Sequence, residues 1–444
     1  MELLNKSAVV VGMAKSGLAA VELLAGQGAN VRAVDEKPGD AVRVQLAARG
    51  VPLQPQTPAA FEGADLIVIS PGVPADLPLL EDARAKGIPV IGELELASYY
   101  LKGKTIGITG SNGKTTTTAL TGHILQQAGV DCQVGGNIGT PPAAMIETSR
   151  AGRWNVLELS SFQLETIQHF RADIAVALNV TDNHLDRHHT FQNYSAAKAR
   201  LFETQTSDGF AVLNADSEVC VSYAARTRGT VKWFSRVQAV SPGAYLSGGV
   251  VWLDNAPLLP AAEIPLRGGH NVENVMAASI AARLAGADFL QIAAGIRSFP
   301  GVEHRIEFVR KLDGVDYFND SKATSVDAAL KAIDAFDSGL WIILGGKDKN
   351  SDYTVMREPL GRKAKMALLI GAAAEKIAGQ LDGAVPLLRC GTLAAAVSEA
   401  SSRAEAGDTV LLAPACASFD QFQSYEHRGR AFKDLVNGLA EGKR

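Results

Sequence analysis

The chain has 444 residues, of which 47% are apolar, and a formal net charge of −4. At roughly 100–200 residues per domain this length predicts two to four domains, and the apolar content supplies several packed cores, which excludes a disordered chain. The small negative charge argues against a broad basic face, so the expected ligands are small anions in local pockets, with no nucleic acid partner.

Cys132, Cys220, Cys390 and Cys416 are far apart, without metal-type pairing. The N-terminus lacks a basic segment followed by an apolar stretch, and no run approaches about 18 uninterrupted apolar residues. The expectation is a cytoplasmic protein without membrane insertion.

Residues 1–93 alternate β-rich runs (8–11, 30–34, 66–69) with helical patterns from about Gly17 and over 42–49, which predicts a parallel α/β unit. Its first turn, Gly12-Met13-Ala14-Lys15-Ser16-Gly17, approximates a dinucleotide fingerprint, and Asp35 follows the second strand at about the right distance. Ala14, however, replaces the glycine that lets a pyrophosphate approach the backbone. A diphosphate held at an altered angle is the expectation, with Lys15, Ser16 and Ser70-Pro71-Gly72 at the carboxyl ends of the strands. A tight turn without a ligand is the plain alternative.

Residues 94–300 form a second block. An apolar run at 105–108 leads into Thr109-Gly110-Ser111-Asn112-Gly113-Lys114-Thr115 and then a helical pattern. Strand, glycine-rich turn and helix N-terminus are where a nucleotide's phosphates sit: backbone amides and the helix dipole face the anion, Lys114 adds a point charge, and the Thr115 hydroxyl can reach Mg²⁺. Strict spacing would place glycine at 108, where this chain has isoleucine. An ordinary glycine turn is the alternative. Further strands are predicted at 155–159, 174–178 and 210–213, then a glycine-rich, strand-like insert over 231–266 and a helical stretch before Phe299-Pro300. Residues 301–444 repeat the α/β pattern, with strands at 315–318, 340–344, 367–370 and 409–412. The predicted fold is therefore α/β with three domains: an N-terminal Rossmann-like domain, a central P-loop ATPase-like domain and a C-terminal Rossmann-like domain.

Glu158 ends an apolar strand, where an unpaired carboxylate is costly to bury. With Thr115 it could hold Mg²⁺ against the phosphates, or it could form a structural salt bridge. The segment Asn179-Val180-Thr181-Asp182-Asn183-His184-Leu185-Asp186-Arg187 follows another strand and makes His184 a candidate Mg²⁺ or substrate ligand, with zinc or a plain surface histidine as the alternatives. His188 and His189 are expected to face solvent. Asn271 and Asn274, three apart after His270, can share one helical face toward a nucleotide. In the last block, His304-Arg305, the turn Asn319-Asp320-Ser321-Lys322-Ala323-Thr324, the turn Gly345-Gly346-Lys347-Asp348-Lys349, and Ser418-Phe419-Asp420 with Tyr425 gather cations and hydroxyls suited to a small acidic substrate and the outer phosphates of ATP.

The motifs at 109–115, 135–139 (Gly-Gly-Asn-Ile-Gly), 157–163, 179–187, 270–274 and 319–324 resemble those of the Mur ligases of bacterial cell-wall synthesis, over essentially the whole chain. Within that family, 70–73, 160–164 and 414–422 are similar to the D-glutamate-adding branch. The resemblance implies that ATP phosphorylates the carboxylate of UDP-N-acetylmuramoyl-L-alanine and that the amine of D-glutamate attacks the acyl phosphate. A free carboxylate is a poor electrophile, so such chemistry needs charge neutralisation and alignment more than a protein nucleophile.

The resemblance also implies roles for individual residues. Gly110, Ser111, Asn112, Gly113, Lys114, Thr115 and Thr116 would surround the ATP phosphates, with Asn271 and Asn274 toward adenine. Thr115 and Glu158 would hold one Mg²⁺, and His184 with a carbamylated Lys198 a second; an ordinary exposed lysine is the alternative for Lys198. Lys15, Ser16, Glu36, Lys37, Ser70, Pro71 and Gly72 would contact UDP, and Asn137 and His184 the muramoyl part. Arg305, Asp320 and Lys322 would close on ATP, and Thr324, Lys349, Ser418, Phe419 and Tyr425 would receive D-glutamate. Lys114, His184, Lys198 and Lys322 form the implied catalytic set, in a monomer whose C-terminal domain swings inward on ATP binding. Two competitors are a folylpolyglutamate synthase-like ligase and a dinucleotide-binding oxidoreductase or regulator.

Overall fold

The computed structural model describes residues 1–441, and Asp186, part of the predicted His184 cluster, has a side chain outside that description. Three α/β sheets are present. In the first, five parallel strands run in the order Leu53–Gln54, Asn30–Val34, Ser7–Val11, Leu66–Ile69, Val90–Gly92. The order reverses between Ser7–Val11 and Leu66–Ile69, so the turns after these two strands, at Gly12 and Ser70, flank the crevice where such sheets bind ligands.

The second sheet has nine strands, with Phe210–Asn214, Ile174–Ala177, Lys104–Thr109 and Trp154–Glu158 adjacent and parallel. The predicted strand-like insert is real: Thr230–Ser235 and Gly243–Ser247 continue the sheet, and Val250–Leu253 and Ala256–Pro260 close it as antiparallel hairpin strands. The third sheet runs Glu307–Leu312, Val315–Asn319, Thr409–Leu412, Leu340–Gly345, Ala364–Ile370, Leu387–Gly391, and only the first pair is antiparallel. Parallel strands covered on both faces read as unbroken apolar runs. Accordingly Leu66–Ile69, Ile174–Ala177, Leu340–Gly345 and Thr409–Leu412 are buried along their whole length. Among the described residues no helix is long and apolar enough to cross a membrane.

The chain divides into two compact units. One comprises residues 1–264 and 272–299, with the first two sheets; the other comprises 265–271 and 300–444, with the third. Inside the first unit, helix Glu93–Ser98 ties the two sheets' segments together through buried carboxylates. Glu95 accepts hydrogen bonds from the amides of Gln168 (2.8 Å), His169 (2.8 Å) and Phe170 (3.0 Å). Three backbone donors satisfy a charged carboxylate well. Glu93 has only one, from the Ala143 amide at 2.6 Å, and its Oε2 is buried without a hydrogen-bond partner. Burial therefore pushes Glu93 from the ordinary 4.5 up to about 8.

Folding thus binds the Glu93 proton more tightly than the unfolded chain does. Its stabilising contribution is complete below pH about 4.5 and is lost as pH rises through about 8. Urea unfolding of the wild type should show stability declining across that window, and Glu93→Gln should flatten the decline; an unchanged slope in the variant would assign it to another group.

Candidate active site

Strand Lys104–Thr109 delivers the glycine-rich loop to the N-terminus of helix Lys114–Gln127. Asn179 holds the loop from beside it. Its carbonyl accepts from the Ser111 amide (2.9 Å), its Oδ1 from the Asn112 amide (2.9 Å), and its Nδ2 donates to the Asn112 carbonyl (3.2 Å). Ser111 Oγ donates to the Thr181 carbonyl at 3.0 Å. Gly113 has φ 83°, and a Cβ there would collide with Asn274 Oδ1, so glycine is required both for backbone shape and for space. The same collision brings Asn274, predicted from spacing alone, to the phosphate loop. Thr115 and Thr116 are buried in the helix's first turn.

Lys114 Nζ donates to the carbonyls of Gly110 (2.8 Å) and Ser111 (3.1 Å). Lys198, on helix Phe191–Glu203, donates to the same Gly110 carbonyl at 3.0 Å and lies over the Tyr194 ring at 4.5 Å. It is only 1% exposed, which excludes the plain surface lysine. Burial, reinforced by the Lys114 charge, holds its ammonium well below the usual lysine range.

Glu158 is buried at the end of its strand. Its Oε1 accepts from Asn137 Nδ2 at 2.9 Å, while Oε2 is buried without a hydrogen-bond partner. The Glu158 charge also acts on Lys198, favouring its protonated form against burial. Strand Trp154–Glu158 pairs with Lys104–Thr109 and sets Glu158 opposite Ile108, on the strand that leads into the glycine-rich loop; an uncommitted carboxylate oxygen there is a ligand of the kind Mg²⁺ takes. The neighbouring Gly136 has φ 108°, and a Cβ there would strike the Glu158 carbonyl. Among the described residues no group of three or more His, Cys, Asp or Glu is placed to hold a metal.

His184 is exposed, has φ 55°, and meets the Phe162 ring edge-on at 4.9 Å between centroids. The solvent-facing expectation fails for His188, which is buried, stacks on Phe162 and hydrogen-bonds Ser161 Oγ at 2.9 Å. Burial and the Arg187 charge lower it to about 4. It is a packing residue that supports the His184 turn. His189 is exposed as expected and faces Asp76 at 3.2 Å. Arg187 pairs with Glu165 and donates to the Val73 carbonyl at 2.8 Å, linking the His184 turn to the one at 70–73.

Around the first sheet, Ser70 is buried, Ser16 and Pro71 are half-buried, and Lys15, Glu36, Lys37 and Gly72 are exposed. Asp35 accepts from the amides of Met13 (2.6 Å) and Lys37 (2.9 Å). These bonds brace the Gly12 turn against the end of the second strand.

The second unit carries the remaining candidates. Asp320 is buried and pushed up to about 7 by desolvation, against the opposing Arg305 charge. Lys322 lies over the Tyr425 ring at 5.7 Å. Thr324 is half-buried, Ser418 is buried, and Lys349 and Phe419 are exposed. Asn271 donates to the Arg267 carbonyl at 2.6 Å, a local helix-start contact. One residue the sequence reading passed over is Arg428, fully buried beneath these turns. Its signal was present: it shares a helical stripe with Phe432 and Val436.

Three α/β layers with a glycine-rich phosphate loop define a nucleotide-dependent class of enzyme fold. Residues 6–92 match the Mur ligase MurD-like N-terminal domain, 108–282 the Mur ligase middle domain and 304–416 the Mur ligase glutamate ligase domain. The chain is 65% identical to a UDP-N-acetylmuramoylalanine--D-glutamate ligase from Solibacter usitatus, covering 99% of each chain, and 52% identical to one from Acidobacterium capsulatum, covering 98% of this chain and 97% of that one. Among solved structures it resembles the UDP-N-acetylmuramate-alanine ligase of Thermotoga maritima (TM-score 0.60, 16% identity, 97% of this chain and 99% of that one) in fold. A pseudomurein peptide ligase type C from Methanothermus fervidus is similarly alike (TM-score 0.59, 18% identity, 98% and 100% covered). The chain belongs to the Mur ligase family.

Gly113→Ala should abolish the thermal stabilisation that added ATP gives the wild type, because the loop can neither hold its positive φ nor clear Asn274. An undiminished ATP-induced shift would place the nucleotide elsewhere.

Proposed function

We propose that this chain is an ATP-dependent ligase that joins D-glutamate to UDP-N-acetylmuramoyl-L-alanine, acting as a cytoplasmic monomer in peptidoglycan precursor synthesis. The observation that carries this reading is a phosphate loop set beside a buried carboxylate, Glu158, that has one oxygen to spare. The full-length relatives that bear this activity in their names support the choice of substrates. In this reading residues 1–93 bind the UDP-substrate, 94–300 bind ATP and 301–444 bind the amino acid.

The substrate carboxylate attacks the γ-phosphorus of ATP; a new P–O bond forms, the bond to ADP breaks, and an acyl phosphate results. The D-glutamate nitrogen then adds to the carbonyl carbon, loses its proton to solvent, and the tetrahedral species expels inorganic phosphate. Lys114 and the amides at 110–116 neutralise phosphate charge as it shifts, which is the main contribution a protein can make to such a transfer. Asn137 donates to Glu158 and orients the substrate's muramoyl end, with His184 beside it. Lys15, Ser16, Glu36, Lys37 and the turn at 70–72 hold the UDP portion. Asn271 and Asn274 face the base, Arg305, Asp320 and Lys322 engage the nucleotide, and Thr324, Lys349, Ser418, Phe419 and Tyr425 receive D-glutamate.

Thr115 with Glu158, and His184 with a carbamylated Lys198, would hold two Mg²⁺ ions, which when bound neutralise phosphate charge. Carbamylation joins the Lys198 amine to the carbon of CO₂ and releases a proton. It would put an anion where burial and the Lys114 charge disfavour an ammonium, and Lys114 would attract it.

ADP release should require UDP-N-acetylmuramoyl-L-alanine and Mg²⁺ and should proceed with D-glutamate, but not with L-glutamate, L-lysine or diaminopimelate. Turnover with another amine would move the chain to a different ligase branch. Lys198→Ala should lose activity by about 100-fold or more, the scale of removing a transition-state charge contact, and short-chain carboxylic acids should restore part of it; full activity in the variant would remove Lys198 from the site.

A further inference from the structure

Helix Tyr425–Asn437 turns one stripe toward the third sheet, formed by Arg428, Phe432 and Val436. Two of these are ordinary core residues. Arg428 is a cation only 1% exposed, and its hydrogen bonds go to a hydroxyl and three backbone carbonyls rather than to a carboxylate. Nε donates to Ser321 Oγ (3.0 Å), Nη2 to the carbonyls of Ser321 (2.9 Å) and Cys416 (3.1 Å), and Nη1 to that of Ala417 (3.4 Å). A buried ion persists only when its donors are satisfied, so these acceptors are held in place by the same bonds.

The acceptors belong to different segments. Ser321 lies in the turn that carries Asp320, Lys322 and Thr324, and its hydroxyl donates to the Tyr425 carbonyl at 2.8 Å. Cys416 and Ala417 directly precede Ser418. The Ala417 carbonyl also accepts from the Lys347 amide at 2.8 Å, in the turn that carries Lys349. Gly346, at φ 137°, completes the packing: a Cβ there would stand 3.2 Å from Arg428 Nη1 and collide with the Ala417 carbonyl. The guanidinium therefore bonds two segments that carry candidate D-glutamate contacts, 320–324 and 416–418, and the turn at 345–349 joins the second of them through the Ala417 carbonyl.

We propose that Arg428 is a positioning residue for the amino-acid half of the site, its planar fork setting the turn at 320–324 in register with the segments at 345–349 and 416–418. The proposal rests on the D-glutamate reading above. It requires arginine rather than any cation, since lysine offers a single point charge that cannot span Ser321, Cys416 and Ala417 together.

The test is steady-state kinetics of Arg428→Lys and Ser321→Ala in the full chain, with each of the three substrates varied in turn and folding checked by circular dichroism. In Arg428→Lys the KM for D-glutamate should rise about tenfold or more, the scale of one lost charge-assisted bond, while the KM for the UDP-substrate stays within about twofold. Ser321→Ala should move the same parameter in the same direction by less. A wild-type D-glutamate KM in folded Arg428→Lys, or an equal rise for all three substrates, would overturn the positioning role. If Arg428→Lys does not fold, an unchanged D-glutamate KM in Ser321→Ala decides against it. Absence of D-glutamate-dependent ADP release in the wild type would instead remove the underlying reading.

Discussion

A single carbonyl oxygen, that of Gly110, receives hydrogen bonds from both Lys114 and Lys198. Burial and the Lys114 charge both disfavour an ammonium on Lys198, and the Glu158 charge offsets them only in part. In the reading proposed above, phosphate at the loop would offset the Lys114 charge, and a carbamate would replace the disfavoured ammonium on Lys198. Around it, Asn179 clamps the loop backbone, Gly113 takes a positive φ with no room for a side chain against Asn274, and Glu158 stands in the next strand with an oxygen uncommitted.

Buried charges recur through the chain, and the way each is satisfied separates supporting roles from chemical ones. Glu95 is held by three backbone amides and Arg428 by a hydroxyl and three backbone carbonyls, and both tie distant segments together. Glu158 and Glu93 each keep one buried oxygen without a hydrogen-bond partner. Burial, opposed by the Ala143 amide, favours the neutral acid at Glu93. Glu158 sits across from the phosphate loop, where a cation would complete it. Asp35 likewise braces the Gly12 turn, through the amides of Met13 and Lys37.

The central strands were legible because both faces of a parallel sheet are covered, which forces continuous apolar runs. The strands that the pattern missed, Leu53–Gln54, Val90–Gly92, Cys132–Gly136, Glu307–Leu312 and Leu387–Gly391, all lie at sheet edges. Most of their side chains are only partly buried or too few to form a run, so periodicity carries little signal there. His188 was misjudged for a related reason. Its neighbours in sequence are polar, but its burial comes from Phe162 and Ser161, some 26 residues earlier, a distance no local pattern reports.

What the sequence determined by itself was local chemistry: glycines at forced backbone angles, a lysine and threonine at a helix start, and acids and amides at strand ends. These depend on residue type and short spacing, and they survive in any fold that keeps strand, turn and helix in order. Tertiary structure alone decided which of those groups are buried, which oxygens go unpaired, that Lys114 and Lys198 share one acceptor, and that Arg428 ties the Ser321 turn to the segment at 416–417. Such facts arise from contacts between residues tens to more than a hundred positions apart, where packing and desolvation rather than sequence neighbours set the charge and geometry of each group.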